Sequence, residues 1–265
     1  MSRRVGRRQL EQLRDRLTPR DIDVLQTVSQ FRLATGAQLR RIHFQDHATS
    51  ETSAQVARRV LNRLTEHGLL ARTDRRIGGI RAGSAGHVYT LSPLGHRLMG
   101  VETRKRLSEP SFAFLRHTLA ITELAIELIE LDGSDQFDLL QLQAEPAAWR
   151  NHEANLVQVT LKPDLFVQVA DDEYERSWFI EVDCSTESRP TIQRKCHAYV
   201  DYRHSGIEQE RHGVFPRTLW IAPDESRADQ LRRAIASDRQ IDDALFDVTT
   251  TNSAVSKIIG TDGKP

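Results

Sequence analysis

Between Leu161 and Tyr199 the chain carries acidic side chains inside runs that are otherwise apolar. Lys162-Pro163-Asp164-Leu165-Phe166-Val167-Gln168-Val169 and Trp178-Phe179-Ile180-Glu181-Val182-Asp183 have the composition of neighbouring strands joined by a polar turn at Asp171-Asp172-Glu173. Side chains alternate along a strand, so Asp164, Phe166 and Gln168 share one face, and Phe179, Glu181 and Asp183 share one face of the second strand. Leu165, Val167 and Val169, like Trp178, Ile180 and Val182, make apolar opposite faces. An ionised carboxylate is costly to desolvate unless it is paired or metal-bound. Three of them at one sheet edge are therefore expected to do chemistry rather than to pack. A helix over 191–202 puts Lys195 and Tyr199, four residues apart, on one face, from which an ammonium group can reach the acids.

Pro163-Asp164, then Glu181 on an apolar strand, then a basic residue nearby, resembles the PD-(D/E)XK restriction-endonuclease-like nuclease superfamily. The longer string Glu181-Val182-Asp183, Thr186-Glu187-Ser188, Lys195 and Tyr199 resembles the replication-relaxation family of plasmid and mobile-element proteins, which joins a winged helix to such a domain. The resemblance covers most of the chain, on short motifs. It implies a DNA-binding protein of plasmid or mobile-element replication or mobilisation, whose partner is double-stranded DNA such as a plasmid origin and whose endonuclease domain is nickase- or relaxase-like. One position departs from the superfamily pattern: Asp183 stands where a lysine two residues after the glutamate is usual. Some branches carry the basic or amide residue on the next helix as Gln/Lys-x-x-x-Tyr, which Lys195 and Tyr199 match.

Hydrolysing a phosphodiester needs a metal to polarise the phosphoryl oxygen, an activated water and a cation near the developing charge. In that scheme Asp164 and Glu181 hold Mg2+ or Mn2+ through oxygen ligands. An acid of the first helix often completes the metal site of the nuclease fold, which makes Glu123 a candidate ligand; a solvent-facing Glu123 is the alternative. Lys195 orients the water or steadies the transition state, and Tyr199 positions Lys195 or touches phosphate. Asp183 is the odd member. It binds a second metal, pairs with Lys195 and quenches it, or caps the Ser185-Thr186 loop. In the last case the cluster is a salt-bridged relic, and the protein is a non-catalytic DNA-binding regulator or replication accessory factor that uses the nuclease-like fold as a scaffold.

At 265 residues the chain is long enough for two domains with cores of their own. Its charge is balanced overall but not along its length: residues 1–108 hold 21 Lys and Arg against 9 Asp and Glu, and the remainder 16 against 28. The basic half has the electrostatics of a nucleic-acid binder, and the acidic half belongs to a module with a different task. No apolar run approaches a membrane span and no charged-apolar-small leader is present, so a cytoplasmic protein is the simplest expectation. Cys184 and Cys196 lack metal-type spacing and suit a reducing compartment as free thiols, Cys184 as a small buried hydrophobe. No His-x-His pair offers the metal cradle of histidine-dependent relaxases. His43 and His47, four apart without a third ligand, read as a solvated helix end rather than a zinc face.

These groups need elements to hold them. Residues 1–17, with six arginines around Leu10, Leu13 and Leu17, form a basic arm. A winged helix-turn-helix is expected over 18–100. Thr18 caps its first helix ahead of Pro19 and Asp21, with Ile22, Leu25, Val28 and Phe31 inward. A second helix covers 36–44 and a third covers 52–67, ended by Gly68 in a left-handed cap. Two short strands around an Arg- and Gly-rich loop complete the wing. The third helix then enters the major groove with Gln55, Arg58, Arg59, Asn62 and Arg63, and the wing adds Arg75, Arg76 and Arg81. Winged helices often act as dimers, which makes a homodimer the natural assembly to test. A linker is expected over 101–110, then over 111–251 a restriction-endonuclease-like α/β domain with a mixed central sheet flanked by helices, and a loose polar tail over 252–265. Within the α/β domain a long helix ends at Leu131, strands cover 137–144 and 154–160, and strand, helix, strand follow at 217–222, 225–237 and 244–249.

Overall fold

The computed structural model describes residues 6–73, 86–101, 110–132, 137–154 and 157–261. Two compact units divide the chain, Met1–Ile126 and Glu127–Pro265. The first contains α1 (Arg7–Arg14), α2 (Pro19–Phe31), β1 (Ala34–Thr35), α3 (Gly36–His43), α4 (Ser50–Glu66), β2 (Leu70–Thr73), β3 (Val88–Leu91), α5 (Pro93–Leu98) and most of α6 (Phe112–Leu131). Its three strands form an antiparallel sheet in the order β1-β3-β2. The core that α2, α3 and α4 make with this sheet includes Val24, Leu25, Val28, Leu39, Leu61, Leu64 and Leu91. Val24 takes the inward position expected for Ile22, which is only half-buried. Gly68, at φ 70°, lets the chain leave α4 in a conformation that costs a residue with a Cβ, and the Leu69 N–H then closes back on the Leu64 carbonyl at 3.0 Å.

The start of α2 is held by reciprocal bonds. The Asp21 N–H donates to Thr18 Oγ1 at 3.2 Å, and the Thr18 N–H donates to the Asp21 carboxylate at 2.9 Å. Asp21 is buried, and both its oxygens also accept from Arg63 of α4, at 2.6 and 2.8 Å. Burial alone raises the Asp21 pKa, but the Thr18 bonds and the Arg63 guanidinium outweigh it and hold the carboxyl below its ordinary value. A lowered folded-state pKa contributes stability that is present above the unfolded value near 3.8 and lost as pH falls through the folded value. Thr18→Ala is therefore expected to lower the opening free energy of α2 by about 1 kcal/mol. Asp21→Asn should remove part of the acid sensitivity below pH 4. Hydrogen exchange of the α2 amides between pH 3 and 6 checks both.

The second unit contains β4 (Asp138–Ala144), β5 (Arg150–Ala154), β6 (Val157–Leu161), β7 (Leu165–Ala170), β8 (Glu175–Val182), α7 (Arg189–His204), α8 (Ile207–His212), β9 (Arg217–Ala222), α9 (Glu225–Ala236), β10 (Phe246–Thr250) and α10 (Ala254–Ile259). A five-stranded mixed sheet runs β10-β9-β8-β7-β4, parallel across β10, β9 and β8 and antiparallel across β8, β7 and β4. Helices α7 and α9 cover one face, where Ile192, Tyr199, Leu231 and Ile235 pack with Phe166, Phe179 and Trp220. On the other, α10 packs against β7 and β8, and Trp178 Nε1 donates to the Ile258 carbonyl at 3.2 Å.

Three expectations for this half are corrected. The strand expected over 154–160 is a hairpin of β5 and β6, its polar first arm Arg150-Asn151-His152-Glu153 lacking a strand's usual composition. Ala254, Ile258 and Ile259, in the stretch expected to be loose, are buried on α10. The boundary between compact units falls within α6 rather than at 101–110, because the first three-quarters of that helix belongs with the N-terminal elements: Thr122 Oγ1 donates to the Leu33 carbonyl at 2.9 Å. Residues 102–109 lie outside the described residues. Among the described residues no helix is long and apolar enough to cross a membrane.

Candidate functional site

The antiparallel register pairs Leu165 with Ile180 and Phe166 with Phe179, so one step further places Asp164 opposite Glu181. The Asp164 N–H donates to the Ile180 carbonyl at 3.0 Å, and Asp164 Oδ2 accepts from the Val182 N–H at 2.8 Å. Strand periodicity thus puts both carboxylates at one end of β7 and β8, where Glu181 meets the middle of α7. Both are buried. Lys195 and Tyr199, one turn apart on α7, converge on Glu181: Lys195 Nζ donates to Oε2 at 2.7 Å and the Tyr199 hydroxyl donates to Oε1 at 2.6 Å.

Burial, reinforced by the charge of Asp164, pushes the Glu181 pKa up, against the downward pull of the Lys195 ammonium and the Tyr199 hydroxyl. Lys195 is desolvated too, but Glu181 and Glu187 outweigh that and hold it protonated, with Glu187 Oε1 at 2.6 Å from Nζ. Burial and the Glu181 charge raise the Tyr199 phenol well above its ordinary value. Tyr199 is therefore a hydrogen-bond donor and a poor nucleophile. Cys196 is buried below Lys195 with its thiol pushed up to about 12, chiefly by desolvation, which leaves it unreactive, and Cys184 is half-buried rather than buried.

Asp183, the position of the departure from the superfamily pattern, does not pair with Lys195. Its Oδ1 accepts from the Ser185 N–H, and its Oδ2 is held by Arg227 of α9, through Nε at 3.0 Å and Nη2 at 2.6 Å. The same Nη2 donates to the Glu187 carbonyl at 2.7 Å. Of the three expected roles, the loop cap matches these bonds, and Arg227 is a partner that sequence reasoning missed. Arg227 sits on an amphipathic helix 44 residues from Asp183, where nothing local sets it apart from a solvated surface charge. Glu187 had a signal, because it lies within the motif string around Lys195. A second buried network was also missed: Glu208 of α8 accepts from Arg150 Nε at 2.6 Å and from the Tyr202 hydroxyl at 3.1 Å.

The expected third ligand, Glu123, is taken up within the first unit, where Gln38 Nε2 donates to Oε2 at 2.8 Å and Arg41 forms an ion pair with Oε1. Among the described residues no three His, Cys, Asp or Glu side chains stand together as a metal cage. Asp164 and Glu181 are a pair. Mg2+ typically binds through one or two carboxylates with water and substrate phosphate completing its shell, so two adjoining oxygen donors of matching hardness fit that ion and do not make a closed structural site.

Of the residues expected to meet DNA, Gln55, Arg58 and Arg59 are exposed along α4. Arg63 is committed to Asp21, and Asn62 accepts from Arg72, so both hold the fold together. Arg75, Arg76 and Arg81 lie outside the described residues. His43 and His47 have separate partners, Thr27 at 2.8 Å and Arg20 at 3.4 Å.

Neither the curated proteins nor the solved structures contain a match to this chain. The family model for replication-relaxation matches residues 25–218, from α2 to the start of β9, a span that takes in the exposed face of α4 as well as Asp164, Glu181, Lys195 and Tyr199. With well over half its length matched, the chain belongs to the replication-relaxation family.

Proposed function

We propose that this is a DNA-processing protein of plasmid or mobile-element replication, in which a winged helix reads duplex DNA and a restriction-endonuclease-like domain nicks it. The N-terminal order of helix, strand, two helices and two strands supports the first half, with α4 as the recognition helix and Gln55, Arg58 and Arg59 facing the major groove. The observation that carries the second half is the placement of Lys195 and Tyr199 on a buried Glu181 beside Asp164. Perturbed, buried titratable groups in convergence mark functional sites more often than packing sites.

Asp164 and Glu181 would hold Mg2+ or Mn2+, which when bound polarises a phosphoryl oxygen and acidifies water. The chain's own groups do the rest. Tyr199 fixes the orientation of Glu181 through its hydroxyl. Lys195 carries a full positive charge beside the carboxylate pair and is the group placed to offset negative charge developing on a phosphate. Glu187 holds the ammonium from the other side. Glu123, already paired with Arg41, has no part in this scheme.

A second reading is favoured by two observations: both Glu181 oxygens already accept from protein donors, and Asp183 is locked to Arg227. In it the domain is a catalytically inactive scaffold for a DNA-binding regulator or replication accessory factor. Supercoiled plasmid carrying the cognate origin separates the two. Nicking in Mg2+ or Mn2+ that disappears in Asp164→Ala and Glu181→Ala supports the endonuclease. Intact plasmid with DNA bound in the same tubes, unchanged by the double substitution or by metal, supports the scaffold.

A further inference from the structure

Between the first turn of α7 and α9, joined to the carboxylate pair through Glu187 and Lys195, lies a cleft of about 380 Å3 that the proposed hydrolysis does not use. Its lining includes three arginines, Arg189, Arg227 and Arg233, and a single acid, Glu187. Arg189 and Arg233 are exposed and come from different helices. Arg227 is fixed in place by Asp183, by the Glu187 carbonyl and by Gln230 Oε1 at 3.0 Å from Nη1. Glu187 is paired with Lys195 and Arg227 with Asp183, so the positive balance of the cleft comes from Arg189 and Arg233. Guanidinium forks match phosphate oxygens in geometry as well as charge, which a carboxylate-poor, arginine-lined wall exploits.

Glu187 also ties this cleft to the candidate centre. One of its oxygens holds Lys195, which holds Glu181, while its backbone carbonyl anchors Arg227. An occupant of the cleft is thus one side chain away from the ammonium group that faces the carboxylates. From this juxtaposition we propose that the cleft is a backbone subsite for a nucleic-acid strand: Arg189 and Arg233 grip a phosphate that flanks the one presented to Asp164 and Glu181. The proposal rests on the endonuclease reading for what happens next door, but the grip itself is a binding property. Contacts of this kind fix the position of a strand and carry no sequence preference.

Binding of a fluorescently labelled thymidine tetranucleotide to the full chain, followed by anisotropy across a salt series, tests it. In Arg189→Glu/Arg233→Glu the affinity is expected to fall at least tenfold. The slope of log affinity against log salt should flatten by roughly 0.7, the value for one phosphate contact on a single strand. Both side chains are exposed, and an unchanged thermal melt verifies the fold. Tetranucleotide affinity equal in the two proteins, or absent from the wild type, overturns the subsite. Competition by inorganic phosphate as strong as by unlabelled tetranucleotide overturns the strand assignment in favour of a free-phosphate site. If binding follows the arginines but wild-type protein nicks no plasmid, the endonuclease reading fails and the subsite stands. If nicking is robust while tetranucleotide affinity ignores the arginines, the reverse holds.

Discussion

Arg227→Met is expected to destabilise the C-terminal unit by about 3–5 kcal/mol, the usual cost of stripping one partner from a buried ion pair. The Asp183 side chain has 0% exposure and depends on the guanidinium for two bonds at Oδ2. Without it the carboxylate keeps only the Ser185 N–H, and the Glu187 carbonyl loses its donor as well. The loss comes from a stranded charge, so removing the charge should restore most of the stability. Asp183→Asn in the Arg227→Met background keeps an acceptor for Ser185 and carries no charge. It is expected to be more stable than the single variant, a coupling of more than about 2 kcal/mol in the double-mutant cycle. All three tryptophans, Trp149, Trp178 and Trp220, belong to this unit, so tryptophan fluorescence in a urea titration follows it. A single variant that loses less than about 1 kcal/mol would show that Asp183 is solvated or otherwise satisfied, and the buried-pair account would fall.

That pair also marks where the sequence stops being legible. Asp164, Glu181, Lys195 and Tyr199 were readable because each sits at a fixed spacing within its own element: strand alternation places the acids, and a four-residue helical step aligns the base with the phenol. The order of helices and strands around them was readable for the same reason, down to Thr18 as the cap of α2 and Gly68 as the end of α4. What periodicity cannot supply is the partner that a distant helix delivers. Arg227, Glu187 and the Arg150–Glu208 bond depend on how α9, α8 and β5 dock against the sheet, and an arginine on an amphipathic helix looks the same whether it ends in solvent or on a buried acid. Docking likewise decided against two expected DNA contacts, since Arg63 lies on the outward-looking side of α4 by sequence yet is drawn back to Asp21. The last helix, α10, escaped because three buried residues in six are too few to stand out from a polar terminus.

Lys195→Met in chelator-treated protein is expected to cost little at pH 5 and about 1.4 kcal/mol more at pH 8. Burial and the Asp164 charge push the Glu181 pKa up while Lys195 and Tyr199 pull it down, and methionine removes the stronger of those two opposing groups. The pKa then climbs further. An acid whose folded pKa exceeds its unfolded value, near 4.5, contributes its stability in full below that value and loses it as pH rises through the folded pKa. In the variant that interval extends upward, and across it stability declines by up to about 1.4 kcal/mol per pH unit as unfolding releases the Glu181 proton. Lys195 stays protonated throughout and adds no slope of its own, while the wild-type interval closes at about 7, so above that pH the variant goes on losing stability and the wild type does not. Adding Asp164→Asn removes the neighbouring like charge and should shallow the slope. The same substitution should cut plasmid nicking by about a hundredfold or more at every pH if the ammonium offsets charge on the phosphate, and Lys195→Arg should restore part of it. Urea midpoints followed by tryptophan fluorescence at pH 5, 6.5 and 8 decide the stability half. A penalty that does not change with pH would mean that Glu181 keeps its charge without Lys195, and the carboxylate pair would then be too well solvated to need a cation.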